Sequence, residues 1–371
     1  MRIADIRFIF MEAIMGENKQ IGKQSIKFAH PPFIRGAASV VGTKEAEGPY
    51  GEYFDEVEQD PMAGGDSWED AEGKFQERAA ELAIKNAGCK TEDMRYIVAG
   101  DLLGQLMASS FGLIKLERPL FGVYGACSTM GESIAVASMI AEGGFAGNVL
   151  ALTSSHFASA EKQFRFPLGY ANQRNKSATW TVTGSGAVVV SAASDIKAGS
   201  EPGHRLPDKV LEEKNKVHIV GITTGKIVDY GVKDSMNMGA CMAPAAADAI
   251  VQHFIDFGHS PGQYDKIITG DLGLVGKDIL IDIIRAKGYD ISENYMDCGI
   301  EIYGEEQNVQ SGGSGCGCSA VMLTGFILKK LESGDWKRVL FVPTGALLSQ
   351  VSFNEGNSVP GIAHAVLLER R

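Results

Sequence analysis

The sequence has no apolar run long enough to cross a bilayer, since no stretch of about 18 consecutive apolar residues occurs in the chain. Its beginning, "MRIADIRFIFMEAIMGENKQ", is interrupted by Asp5, Arg7 and Glu12 and has no signal-peptide cleavage pattern. We therefore expect residues 1–21 to form a soluble N-terminal extension. Any attachment to a membrane should then require protein partners.

Positive charge is also scarce. The 371 residues include 35 Lys and Arg against 46 Asp and Glu, which gives a formal net charge of −11. No stripe of Lys and Arg is present that could neutralise the phosphates of a nucleic acid. The sequence therefore argues against a nucleic-acid partner, and an anionic ligand would need a local cationic pocket.

Cysteines are few and lack the spacing of a disulfide scaffold. The six cysteines lie among apolar residues and glycines, which favours a reducing compartment. Cys316 and Cys318 form a C-x-C pair, but no second Cys or His pair follows at zinc spacing. The glycine-rich "GGSGCG" has no acidic partner where a dinucleotide site requires one. We therefore predict neither a metal site nor a cofactor.

What the chain does contain is an internal repeat. "YIVAGDLLGQ" (96–105) returns as "KIITGDLGLVG" (266–276), and "TGSGAVVV" (183–190) corresponds to "GIAHAVLL" (361–368). "GACSTMGESIAVASMIAEGGFAGNVLALTSS" from Gly125 aligns without a gap to "GCGCSAVMLTGFILKKLESGDWKRVLFVPTG" from Gly315. Three blocks that recur in the same order indicate two copies of one α/β unit.

Each copy has the pattern of a strand ending in Gly-Asp, a glycine turn, a buried helix and two further strands. The helices after Cys127 and Cys318 are apolar nearly all round, as expected for helices packed between two sheets. We therefore predict an α/β fold with a five-layer αβαβα body and internal pseudo-two-fold duplication. The first half is expected over 22–195, a polar linker over 196–216 and the second half over 217–371.

The segment "VYGACSTMGES" (123–133) contains a candidate nucleophile. An apolar segment leads into a small-residue turn with one thiol, Cys127, and the turn opens directly into a helix. Backbone N–H groups at a helix start favour a thiolate, and a neighbouring base or cation lowers the pKa of the thiol further. Whether Cys127 is reactive therefore depends on partners from elsewhere in the chain.

These motifs carry a family resemblance. The doubled unit, the Cys turn and the segment "MNMGACMAPAAADAI" (236–250) resemble the thiolase and β-ketoacyl synthase III superfamily. A closer resemblance, from about Gly22 to the C-terminus, is to the stage V sporulation protein AD family of spore-forming bacteria. It rests on "AGDLL", "FGVYGACSTMGESIA", "TSSHFASAEKQFRFP", "VTGSGAVV", "MAPAAADAI", "SGGSGCGCSAV", "TGALLS" and "IAHAV".

The resemblance also shows what is missing. In condensing enzymes of the superfamily, two His, or a His and an Asn, from the second half complete the oxyanion hole and proton relay. The corresponding segments here are "TGDLGLVG", with Asp271 and no His, and "QSGGSGCGCSA", while "SVPGIAHAV" lacks the second thiolase cysteine. A cysteine without a base or oxyanion donors cannot run Claisen chemistry at a useful rate. We therefore expect a non-enzymatic protein in which Cys127 lines a binding site.

Two other interpretations stay open. The chain could be an acyl-thioester condensing enzyme, similar to ketoacyl synthase III, with Cys127 as the nucleophile. It could also be a structural subunit with a vestigial pocket.

The closer resemblance implies the ligand and the partners. That family takes part in moving dipicolinic acid (pyridine-2,6-dicarboxylate) into the developing spore together with membrane proteins of the same transport system. It implies a location on the cytoplasmic side of the spore or forespore membrane, peripheral and held by those proteins. Because members of the superfamily pair through the strand near the Cys turn, it also implies a homodimer.

A planar dianion suits a helix N-terminus at Cys127 and Ser128, together with the guanidinium fork of Arg165, which lies between Phe164 and Phe166. The expected ligand-binding residues are Asp101, Cys127, Ser128, His156, Arg165 and Ser314.

The remaining polar candidates have ordinary explanations. Lys162 and Arg174 lie in more polar surroundings and are expected to be solvated. His364 is expected to be a packed strand residue. Asp101 and Asp271 recur in both copies, so a structural role at a strand end is the default for each.

Overall fold

The computed structural model describes residues 19–164, 168–170, 173–193 and 215–371. Residues 1–18 of the expected extension, most of the expected linker and Arg165 lie outside these ranges. Within them the strands are β1 (Gln20–Ile21), β2 (Ser25–Lys27), β3 (Phe33–Gly42), β4 (Glu56–Glu58), β5 (Tyr96–Gly100), β6 (Leu120–Gly122), β7 (Asn148–Ser155), β8 (Trp180–Thr181), β9 (Gly184–Ser191), β10 (Val217–Thr223), β11 (Lys266–Thr269), β12 (Tyr295–Asp297), β13 (Gly313–Ser314), β14 (Arg338–Val342), β15 (Thr344–Ala346), β16 (Gly361–Ala363) and β17 (Ala365–Arg370).

Helices alternate with these strands. The α-helices are α1 (Thr43–Ala46), α2 (Trp68–Asn86), α3 (Met107–Gly112), α4 (Thr129–Glu142), α5 (Phe157–Phe164), α6 (Met238–Phe257), α7 (Gly273–Ala286), α8 (Cys298–Glu301), α9 (Cys316–Met322), α10 (Leu328–Ser333) and α11 (Gln350–Asn354). A π-helical segment, Leu323–Ile327, joins α9 to α10. No helix in the described ranges is both long enough and apolar enough to span a membrane.

The strands of the main sheet lie in the order β12-β11-β14-β17-β10-β3-β9-β7-β5-β6. Equivalent strands of the two halves occupy equivalent positions on either side of the centre. Outward from the centre, the first half has β3, β9, β7, β5 and β6, and the second has β10, β17, β14, β11 and β12. In each half the first two pairings are antiparallel and the outer two are parallel. The halves join where Val217 pairs with Ile34 and His218 pairs with Phe33. The duplication expected from the three repeats is therefore confirmed.

Helices cover the sheet in layers. Helix α2 packs on the outer face of β3, β9 and β7, and α6 packs on β10, β14 and β17 with α7 against it. Between the halves lie α4, which contacts β5, β7, β9 and β17, and α9, which contacts β3, β7 and β9. The three larger clusters of buried apolar residues lie between the halves and under each outer layer, and a small fourth cluster contains Ala126 and Cys316. The predicted αβαβα fold is thus confirmed.

Glycines allow the central helices to approach the strands. A Cβ atom on Gly186 of β9 would lie 2.4 Å from the Ala320 carbonyl oxygen of α9. Similarly, a Cβ atom on Gly131 of α4 would lie 2.7 Å from the His364 carbonyl oxygen. These distances are too short for any larger residue, which explains the glycines within two of the repeated blocks.

Candidate functional site

The turn that contains Cys127 connects β6 to α4. Ala126 has a left-handed backbone with φ +49°, which is uncommon for a residue with a Cβ atom. Ser128 Oγ donates to the Gly125 carbonyl at 2.7 Å, and Thr129 Oγ1 donates to the Ala126 carbonyl at 2.6 Å. These bonds hold the turn. They also keep the Ser128 hydroxyl buried within the turn.

A pocket beside Cys127 is built from both halves of the chain. Its lining is mostly apolar, with two acidic side chains, and contains no Lys, Arg or His among the described residues. The lining residues are Leu102, Tyr124, Ala126, Cys127, Ala160, Glu161, Phe164, Thr179, Thr181, Ser235, Met236, Met238, Asp271, Ser314, Gly315, Ala346 and Leu348.

Asp271 follows β11 and points its carboxyl group at the Cys turn. Thr344 Oγ1 donates to Oδ1 at 2.9 Å, and the Gly315 N–H donates to Oδ2 at 3.0 Å. Burial raises the pKa of Asp271 to about 7, although these two donors and the neighbouring Cys127 thiol lower it in part. Near neutral pH the group is therefore shared between its charged and neutral forms.

The Cys127 thiol is surrounded by groups that disfavour its thiolate. Burial raises the pKa of Cys127 well above its usual value, and the negative charge of Asp271 raises it further. Cys316 lies behind the same turn, where its thiol donates to the Ala126 carbonyl at 3.0 Å. The Gly315 N–H acts in the opposite direction but does not outweigh the other effects. The thiol is thus a hydrogen-bond donor at neutral pH and a poor nucleophile.

Arg174 is buried rather than solvated, which corrects the expectation from its polar sequence neighbours. Its side chain is 3% exposed, and Nη2 donates to Glu161 Oε1 at 2.6 Å. The guanidinium carbon lies 4.7 Å from the ring centroid of Trp180, and the Thr179 carbonyl accepts a further hydrogen bond. Because Glu161 and Thr179 line the pocket, this positive charge lies directly behind its wall.

His156 does not line the pocket. Nδ1 accepts from the Ala158 N–H at 3.1 Å, so Nε2 carries the proton that bonds the Pro61 carbonyl at 2.8 Å. Burial lowers the pKa of His156, and Trp68 and Phe75 pack around its ring. The structure places this side chain in the packing between the first-half strands and α2.

Asp101 also faces away from the pocket. Oδ1 accepts from the Leu103 N–H at 2.8 Å, and Oδ2 accepts from the Ser109 N–H and hydroxyl at 2.8 and 2.6 Å. Its carboxylate therefore organises the loop after β5. Its partner in the repeat, Asp271, is instead directed at Cys127, so the two recurring Gly-Asp pairs have diverged in role.

Of the residues expected to bind a ligand, the structure brings Cys127 and Ser314 together at the pocket. Asp101, Ser128 and His156 lie elsewhere, and Arg165 lies outside the described residues. His364 lies between β16 and β17, where its Nδ1 accepts from the Gly225 N–H at 3.2 Å. Sequence reasoning missed Asp271 as a pocket residue. Its signal was the Gly-Asp motif at the position where a synthase has its histidine.

Metal ligands are not grouped in the described residues, where no cluster of three or more His, Cys, Asp and Glu side chains could hold an ion. The polar groups that reach the pocket are instead suited to hydrogen bonding with a small molecule. They include the Cys127 thiol, the Ser314 hydroxyl and the Asp271 carboxyl group.

A family model and a known protein sequence both match this chain and name the same family. The family described as stage V sporulation protein AD matches residues 22–369. The stage V sporulation protein AD of Bacillus subtilis (strain 168) is 42% identical over 352 residues, which cover 95% of this chain and 98% of that protein.

Comparison with solved structures identifies the fold. The 3-oxoacyl-[acyl-carrier-protein] synthase III of Aquifex aeolicus VF5 aligns with a TM-score of 0.51 at 15% identity, over 91% of this chain and 99% of that chain. Human mitochondrial 3-ketoacyl-CoA thiolase, solved in complex with CoA, aligns with a TM-score of 0.55 at 12% identity, over 93% and 99% of the two chains. The body is a thiolase fold.

Proposed function

Because the chain belongs to the stage V sporulation protein AD family, we propose that it binds dipicolinic acid in the Cys127 pocket without catalysis and supports uptake of that acid into the developing spore. The observation behind this proposal is that the Cys127 thiol faces the buried carboxyl group of Asp271, and that no imidazole lines the pocket within the described ranges. A thiol held in its protonated form can donate to a ligand, but it cannot attack a thioester efficiently.

The pocket offers different surfaces to the ring and to the carboxylates of such a ligand. Leu102, Phe164 and Met236 supply apolar contact area for a planar ring. The Cys127 thiol and the Ser314 hydroxyl supply donors for a carboxylate. Arg165 directly follows Phe164 in the sequence, and we assign the second carboxylate to its guanidinium.

Calorimetric titration with dipicolinate tests the proposal. Arg165→Ala should weaken binding by about ten- to a hundred-fold, since a charge-assisted hydrogen bond contributes roughly 1.5 to 3 kcal/mol. Lys162→Ala is the matched control, because Lys162 is exposed and pairs with Glu69 at 2.7 Å. Equal affinities for Arg165→Ala and wild type, with an intact fold by circular dichroism, would show that the ligand is wrongly placed.

The alternative function is acyl transfer through Cys127. The fold relatives are enzymes of acyl-thioester chemistry, and Cys127 lies just before α4. After incubation with acetyl-CoA, mass spectrometry would find an acetyl group on Cys127 in that case. For the proposed function we expect none, while dipicolinate still binds.

The partners and location form a further part of the proposal. The chain would act on the cytoplasmic side of the forespore membrane, held there by the membrane proteins of the same transport system. Fractionation of sporulating cells tests this: the protein should move from the membrane fraction to the supernatant when those membrane proteins are deleted. Retention in the membrane fraction would contradict it.

We also propose a homodimer through the edge strand β6. In the described residues β6 pairs on one side with β5 and has no strand on its other side, and Phe111 and Ile114, in the segment that leads into β6, are 68% and 67% exposed. A second copy of β6 would satisfy this edge around a two-fold axis. Phe111→Glu should reduce the mass measured by light scattering from dimer to monomer, whereas the control Phe145→Glu, at an exposed site after α4, should not.

A further inference from the structure

We propose that the Cys127 pocket takes up one proton when it binds a carboxylate ligand, and that the carboxyl group of Asp271 holds this proton. The inference rests on the proposed function, because it concerns the form in which that pocket accepts dipicolinate. The Asp271 carboxyl group, which only accepts hydrogen bonds in the free pocket, would thereby become a donor to the ligand.

In the part of the chain that the structure describes, the groups that act on Asp271 are hydrogen-bond donors and other acidic or neutral groups, and none is positively charged. Thr344 on β15 and the Gly315 N–H before α9 donate to its two oxygens, and the Cys127 thiol in the turn before α4 is a neighbour that also lowers the pKa of Asp271. The other titratable groups that act on it are Asp297 at the end of β12, Cys298 on α8 and Cys318 on α9. None of these is a cation.

Asp297 cannot take the place of Asp271 as the group that holds the proton and donates to the ligand. Its Oδ2 accepts from Thr269 Oγ1 at 2.6 Å and from the Leu272 N–H at 2.9 Å. Its Oδ1 accepts from the N–H groups of Gly273 and Ile300 at 3.2 and 3.1 Å. The carboxyl group of Asp297 is therefore fully engaged in capping, whereas that of Asp271 borders the pocket.

A ligand carboxylate beside Cys127 would bring a second negative charge next to Asp271. Two carboxylates in one mostly apolar pocket do not readily both stay ionised, since each raises the pKa of the other. The carboxyls of dipicolinate are ionised throughout the neutral range, so the proton must come from solvent. With the pKa of free Asp271 at about 7, the pocket holds a proton about half the time at pH 7 and rarely at pH 9.

Titration of the full chain with dipicolinate tests the inference. If the ligand binds the protonated form, affinity should fall about five-fold from pH 7 to pH 8 and about ten-fold from pH 8 to pH 9. Calorimetry at pH 8 in phosphate and in Tris should show different heats, because buffers with different ionisation enthalpies supply the proton. These measurements use the wild-type protein and do not depend on the folding of a variant.

Two variants localise the effect. Asp271→Asn, a neutral group of the same shape, should bind dipicolinate with an affinity that is nearly constant from pH 7 to pH 9 and tighter than wild type at pH 9. Asp290→Asn, which removes an exposed carboxylate that does not line the pocket, should keep the wild-type pH dependence. Wild-type binding that is independent of pH and of buffer would overturn the inference alone. Absence of any binding from pH 6 to pH 9 would instead remove the proposed function together with it.

Discussion

Ionising Cys127 would place a negative charge beside the Asp271 carboxyl group in a pocket whose lining is mostly apolar. Thiolase-type nucleophiles gain reactivity from a positive or proton-accepting neighbour and from the helix N-terminus. Here α4 still follows the cysteine, but the neighbour is acidic. The helix start contributes at most about 2 kcal/mol at a partly buried position, and burial together with a like charge outweighs it.

We therefore expect slow alkylation of Cys127. At pH 7, iodoacetamide should label it more slowly than free cysteine, because little thiolate is present. Asp271→Asn should speed the reaction several-fold by removing the adjacent negative charge. Labelling is followed by peptide mass spectrometry, with the partly exposed Cys89 as the internal reference. A wild-type rate above that of free cysteine would contradict this account of the site.

Glu72 is a second buried carboxyl group, located on α2 under the strands of the first half. Ser154 and Ser159 donate to its two oxygens at 2.9 and 2.6 Å. Burial raises the pKa of Glu72 to about 8, and nearby Asp101 raises it further. In the unfolded chain this group releases its proton near pH 4.5, so its contribution to stability is lost as pH rises from about 5 to about 8.

Glu72→Gln should therefore become more stable relative to wild type as pH increases. The difference in melting temperature, variant minus wild type, should rise by several degrees between pH 5 and pH 9. Glu81→Gln on the same helix is the control, since its carboxylate is 51% exposed. A temperature difference that stays constant with pH would show that Glu72 is ionised in the native protein.

At the scale of elements, α6 and α7 pack through their backbones. A Cβ atom on Gly239 would lie 2.4 Å from the Leu272 carbonyl oxygen, and one on Gly276 would lie 2.8 Å from the Gly239 Cα atom. The small residues of "MNMGACMAPAAADAI" are thus required where the outer helices of the second half meet, whether or not the segment takes part in binding.

Gly276→Ala should accordingly destabilise the protein. Overpacking of a close contact costs about 1 to 3 kcal/mol, because backbone on both helices must shift. Urea unfolding measures the change. Gly262→Ala is the control, since a Cβ atom there would meet nothing within 4 Å, and it should change the free energy of unfolding by less than about 0.5 kcal/mol.

The helices and strands that the sequence predicts are those whose sequence blocks recur in both halves of the chain. The repeats around Gly100 and Gly270 correspond to β5 and β11, and the Gly125 and Gly315 blocks correspond to α4 and α9 with their following strands. Short strands such as β8 have no such signal, because their pairing with β13 depends on contacts across the two halves. Periodicity detects faces that are buried repeatedly, and two-residue strands have none.

Site residues were harder to predict than elements. The burial of Arg174 depends on Glu161 and on the Trp180 ring, whereas its immediate neighbours, Gln173 and Asn175, are polar. The pocket position of Asp271 depends on the turn from the other half that brings Cys127 to it. The neighbouring residues in the sequence show only the local polarity. The burial of Arg174 and the pocket position of Asp271 both depend on residues that are distant in the sequence.

At the scale of the whole molecule, charge governs the encounter with a membrane. The chain has a net charge of −11, which opposes approach to an anionic bilayer. We expect the purified protein not to co-sediment with phosphatidylglycerol-containing vesicles, nor with pure phosphatidylcholine vesicles. Polylysine serves as the positive control for sedimentation. Co-sedimentation with the anionic vesicles alone would reveal a basic surface and contradict this expectation.

The shared central layer has a consequence for synthesis on the ribosome. Strands β3, β7 and β9 leave the ribosome well before α9, the helix that packs on them from the second half. At about 5 to 20 residues per second, the ribosome needs on the order of ten seconds to synthesise the chain between β9 and α9. During this time an apolar sheet face, including Val188 and Val190, stays open to chaperones and to neighbouring nascent chains.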